Sequence, residues 1–136
     1  MFVTVFVGCY DAHSALLLYA NAGHSPVVYC PRGGAATLLE ADAPVLGVLP
    51  ISSCTNHLLS FHKGDLLLVG SDGLNESFNA QGEMFGYERL LNTVETLAHL
   101  LARELGRELL RTIEQFTKGH QQSDDQTFIV LKGTAA

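Results

Sequence analysis

The chain has 136 residues, 47% of them apolar and only 16% charged, and its 14 acidic against 8 basic side chains give a formal charge of −6. That length supports one domain, or part of one, with a real core, and the apolar content excludes a disordered tail. The acidic balance leaves no basic stripe for a phosphate backbone, so nucleic acid is not an expected partner. No stretch reaches the roughly 18 apolar residues of a membrane helix.

Taken in chain order, residues 2–10 (FVTVFVGCY) are rich in β-branched and aromatic side chains and read as a strand. It starts at once, with no charged leader or polar lead, as if the chain were cut from something longer. Asp11-Ala12-His13-Ser14 supplies a turn and Ala15–Asn21 the returning strand. Gly23-His24-Ser25-Pro26 breaks the chain before a short strand, Val27–Cys30, and Pro31-Arg32-Gly33-Gly34 is a hairpin-type turn into Ala36–Glu40. Thr55–Phe61 alternates weakly. After the His62-Lys63-Gly64-Asp65 turn comes the strongly apolar strand Leu66–Ser71.

Beyond that strand the apolar period changes from two to about 3.6. Tyr87–Val94 and a longer segment, Leu101–Thr117, read as helices, the second with a stripe of Leu105, Leu109, Ile113 and Phe116. Gly106 allows a kink, at a cost of about 1 kcal/mol relative to alanine, and Gly119 is a C-terminal stop. Gln126–Leu131 reads as a last strand. Strands first, helices later and hairpin spacing together predict an α+β layer structure with antiparallel pairing.

The thiols Cys9, Cys30 and Cys54 are odd in number, widely spaced and free of any CxxC pair. Reduced, buried thiols in a cytoplasmic protein are therefore expected, not a disulfide frame or a zinc site. Two acidic turns carry more chemistry. Asp72 ends the Leu66–Ser71 strand, and Asp124-Asp125 precede the last one. If those strands lie antiparallel and adjacent, the carboxylates converge, and like charges at close range call for a cation between them. All-oxygen ligation suits Mg²⁺ or Mn²⁺, and Gly73 lets backbone or a hydrated metal approach closely. Taken singly, Asp72-Gly73 is an ordinary turn and Asp124-Asp125 a solvated lead-in.

The ordered set Asn21-Ala22-Gly23-His24-Ser25-Pro26, Leu46-Gly47, Gly64-Asp65-Leu66-Leu67-Leu68, Ser71-Asp72-Gly73-Leu74-Asn75-Glu76, Phe85-Gly86, Arg89-Leu90 and Ser123-Asp124-Asp125-Gln126-Thr127 resembles the SpoIIE/RsbU branch of the PPM (type 2C) metal-dependent protein phosphatases. The resemblance implies a PPM-type antiparallel β-sandwich flanked by helices, with a dinuclear Mn²⁺/Mg²⁺ site at one end. It implies hydrolysis of phosphoserine or phosphothreonine on a regulatory protein, a STAS-type anti-anti-sigma factor in a bacterial partner-switching pathway. It places the metal ligands on Asp72 and Asp124, with Asp125 adjacent and Gly73 giving clearance. Two-metal chemistry of this kind activates a water and neutralises the phosphoryl oxygens.

The family's N-terminal metal-binding segment, of DxxGHG type, has no counterpart in these residues. The chain is therefore expected to be the C-terminal portion of the domain, with a partial site, weak binding of one metal and little activity of its own. Its missing half or a sensor domain would be a partner. A non-catalytic phosphatase-like module that binds a sigma-factor regulator is the alternative. The 101–117 stripe, left partly exposed without that half, would drive homodimerisation or aggregation. His24 is expected to be structural, Glu76 to open a helix, and His57, His62, His99 and His120 to lie on the surface.

Overall fold

A computed structural model describes residues 1–50, 53–122 and 124–134. Seven strands and two helices follow in the order β1 (Val5–Asp11), β2 (Leu16–Ala22), β3 (Val27–Cys30), β4 (Thr37–Leu38), β5 (His57–Ser60), β6 (Leu66–Gly70), α1 (Gly86–Leu97), α2 (Ala102–Thr117) and β7 (Phe128–Lys132). Pairing is antiparallel in two sheets, a three-stranded one ordered β1-β2-β5 and a four-stranded one ordered β4-β3-β6-β7.

Strand β6 is apolar at every position because it is covered on both faces. Leu66 and Leu68 point to the helices, where they join Leu74, Leu90, Val94, Leu105, Leu109 and Ile113 in the larger core. Leu67 points the other way, onto Leu17, Val27 and Phe61 between the sheets. A strand of alternating polarity could not occupy this middle layer. The order of layers is thus three-stranded sheet, four-stranded sheet, helices.

The predicted stripe of α2 is fully buried at Leu105, Leu109 and Ile113, and Phe116 packs edge-on against Phe85. The expectation of a partly exposed stripe fails because the four-stranded sheet covers it. The helix also runs unbroken through Gly106, whose missing side chain leaves room for the Phe128 ring, 3.3 Å from where a Cβ would stand.

Exposed apolar surface lies instead on the outer face of the three-stranded sheet. There the register aligns Cys9, Leu18 and Leu58 side by side, next to Val7. Val7, Leu18 and Leu58 are 59%, 43% and 67% exposed. This face also corrects the reading of the thiols: Cys9 and Cys54 are exposed and only Cys30 is buried. Burial pushes the Cys30 thiol pKa up, and the Glu95 and Asp65 carboxylates add to the effect. A thiol-specific reagent is therefore expected to label Cys9 and Cys54 in the native chain and Cys30 only after denaturation, read by mass spectrometry. Fast labelling of all three would contradict this packing.

Element edges shift in informative ways. Val3 pairs with Leu46 through two backbone hydrogen bonds of 2.9 and 2.8 Å, so β1 begins at Val5 and not at residue 2. Glu76 opens no long helix: its N–H closes a single turn on the Asp72 carbonyl at 2.9 Å, and α1 starts ten residues later, at Gly86. His57 is half-buried, stacked on Tyr19 with its Nε2 2.6 Å from Asp42 Oδ2, whereas His62, His99 and His120 are exposed as expected.

Candidate metal centre

Because β6 and β7 run antiparallel with Gly70 opposite Phe128, the end of one strand and the entry to the other share an edge. The Asp72 turn and the Asp124–Asp125 segment therefore meet there. The contact is intimate. A Cβ built on Gly73 would stand 2.1 Å from the Asp125 carbonyl oxygen and 3.5 Å from that of Asp124. Of the two close approaches expected at Gly73, the structure shows the backbone one.

Ser71 fastens the two segments. Its hydroxyl donates to the Asp125 carbonyl at 2.9 Å and accepts the Thr127 N–H at 3.0 Å. Its own N–H donates to the Thr127 carbonyl at 2.8 Å. One residue on, the Gln126 amide donates to Ser77 Oγ, which donates to the Gly73 carbonyl at 2.7 Å. These contacts explain why β7 starts at Phe128 and not at Gln126: residues 126 and 127 spend their polar groups on the facing turn. Ser71, Ser77 and Gln126 were invisible as site residues in the sequence. A serine before Asp-Gly reads as a turn former, and its partner lies 54 residues away.

The Asn21–Pro26 loop braces the same edge. Asn21, buried, donates to the carbonyls of His24 and Leu39 and accepts the His24 N–H. His24 Nε2 lies 2.9 Å from the Gly70 carbonyl, which can only accept, so this nitrogen carries the proton. Nδ1, 2.9 Å from Thr4 Oγ1, accepts the hydroxyl proton in the neutral ring. With both nitrogens engaged, His24 serves to hold the end of β6.

Asp72, Asp124 and Asp125 are all exposed. Asp124 Oδ1 accepts the Asp125 N–H at 2.8 Å, which orients that carboxylate and leaves its other oxygen free. An exposed all-oxygen donor set on two adjoining turns fits a hard divalent ion. Among the described residues no group of three His, Cys, Asp or Glu side chains is assembled to hold a metal. The chain thus supplies one wall of such a site.

Comparison with solved structures defines the class. The SiaA PP2C domain of Pseudomonas aeruginosa superimposes with a TM-score of 0.83 over 95% of this chain and 51% of that one, at 19% identity. The architecture is that of a PP2C-type (PPM) phosphatase domain, present here over about half its length. The family model for Stage II sporulation protein E (SpoIIE) matches residues 1–134, and the chain belongs to the SpoIIE family. Protein IcfG of Synechocystis sp. (strain ATCC 27184 / PCC 6803 / Kazusa) is 33% identical over 96% of this chain. Phosphoserine phosphatase RsbU of Bacillus subtilis (strain 168) is 29% identical over 97% of it. The chain spans only 20% and 39% of those two relatives.

No helix among the described residues is long and apolar enough to cross a membrane.

Proposed function

We propose that this chain is the C-terminal portion of a protein phosphatase domain that hydrolyses phosphoserine or phosphothreonine on a regulatory protein. One observation carries the reading: Gly73 and Ser71 lock the Asp72 turn onto the Asp124–Asp125 segment, which puts three exposed carboxylates on one sheet edge. Asp72 and Asp124 would hold Mn²⁺ or Mg²⁺, with Asp125 assisting. Once bound, the ion would supply an activated water and neutralise phosphoryl charge. The chain's own residues set the geometry. Ser71 and Gln126 fix the spacing of the turns, and His24 anchors the strand end that carries Asp72.

The remainder of the domain would supply the facing ligands and cover the apolar outer face of the three-stranded sheet. The similarity to a phosphoserine phosphatase supports phosphoserine as the substrate, on a STAS-type anti-anti-sigma factor in the cytoplasm. The absence of an assembled three-ligand group among the described residues favours the second reading, a non-catalytic module that binds such a regulator.

The test is dephosphorylation of a phosphorylated STAS-domain protein by the full-length parent. Turnover that depends on Mn²⁺ or Mg²⁺ and stops with EDTA is expected. Turnover indifferent to the chelator would refute the metal assignment, and binding without turnover would favour the second reading.

A further inference from the structure

The sandwich end opposite the acidic turns holds a cleft of about 910 Å³, bounded by the Arg32–Gly34 turn, the Lys63–Gly64 turn, the C-terminal end of α1 and the residues following β7. Its lining is cationic in an otherwise acidic protein. Arg32, Lys63 and Lys132 face a single carboxylate, Glu95. One Glu95 oxygen already accepts the Ala36 N–H at 3.0 Å.

The cations are placed by the fold. The Arg32 stem lies across Gly64, where an added Cβ would sit 2.7 Å from Cδ. Gly64 has a φ of 92°, which disfavours any side chain there in any case. Lys132 Nζ donates to the carbonyls of Ala98 and Leu100, which pins its head at the floor. Buried Asp65, behind the turn, spends one oxygen on the Arg32 N–H and the other on the His62 N–H, each at 2.8 Å. The guanidinium of Arg32 and the ammonium of Lys63 make no ion pair among the described residues.

We propose that this cleft binds a small phosphate-bearing anion, at a site separate from the candidate metal centre. Unpaired, positioned cations recognise a multiply charged oxyanion through charge-assisted hydrogen bonds. The volume suits a ligand larger than a lone phosphate, and Ala98 and exposed Leu101 offer an apolar wall for an organic body. The length of β6, about 15 Å, separates the two sites. The inference does not depend on the hydrolytic reading.

The experiment titrates the 136-residue chain, in EDTA, with ADP and separately with inorganic pyrophosphate, followed by calorimetry. Saturable binding of either probe is expected. It should weaken about tenfold in Arg32→Gln/Lys63→Gln, roughly the loss of one charge-assisted contact, and stay unchanged in Asp72→Asn. Lys63→Glu, which leaves the Arg32 packing intact, should weaken it as well. Binding of ADP alone would assign the organic body a share of the affinity; binding of both would assign recognition to the phosphates. No saturation by either probe, or affinity retained in both charge variants, overturns the proposal.

Discussion

Replacing Gly73 by alanine is expected to destabilise the chain by at least about 2 kcal/mol. The φ of Gly73 lies outside the left-handed region, so the cost is steric. The new methyl would meet the Asp125 carbonyl oxygen at 2.1 Å and its carbon at 2.9 Å. Both are backbone atoms, unable to swing aside as a side chain would. Separating the turns breaks the Ser71 hydrogen bonds to Asp125 and Thr127. The midpoint of thermal unfolding should fall by roughly 6–10 °C for a domain of this size. An unchanged midpoint would mean that the two acidic segments are not in contact.

Asp72→Asn is expected to do the reverse: leave the fold intact and remove the chemistry. The Asp72 side chain is exposed and joins no side-chain hydrogen bond or ion pair among the described residues, so stability should change by no more than about 0.5 kcal/mol. Amide for carboxylate keeps the shape but removes the charge that a hard cation requires. In the full-length parent, turnover with Mn²⁺ should drop about 100-fold or more. Turnover at the parental level in this variant removes Asp72 from the metal site. The pair of variants separates what assembles the site from what operates in it.

Much of the fold was legible because its signals are local. Leu66–Val69 could be read as a doubly covered strand from its unbroken apolar run, and the α2 stripe from its spacing. The convergence of Asp72 with Asp124–Asp125 was legible only through an assumed pairing, which the β6–β7 register supplies. Three things were not legible. The role of Ser71 rests on partners more than fifty residues away. The exposure of Cys9 depends on what covers the outer face of its sheet, which no feature of its own strand encodes. His57 gave no spacing signal, since its contacts with Tyr19 and Asp42 come from other segments.

The placement of β7 has a consequence in time. It pairs only with β6 and forms an edge of its sheet, yet it carries the entry to Asp124 and Asp125. Edge strands at the end of a chain open at lower free energy than the core they lean on. Their non-local pairing also forms late, after the loop that closes it has been ordered. The carboxylate pair is therefore the last part of the domain to assemble and the first to come apart. Loss of the site can precede loss of the fold: a single fraying strand would separate Asp124 and Asp125 from Asp72 while both cores stay closed.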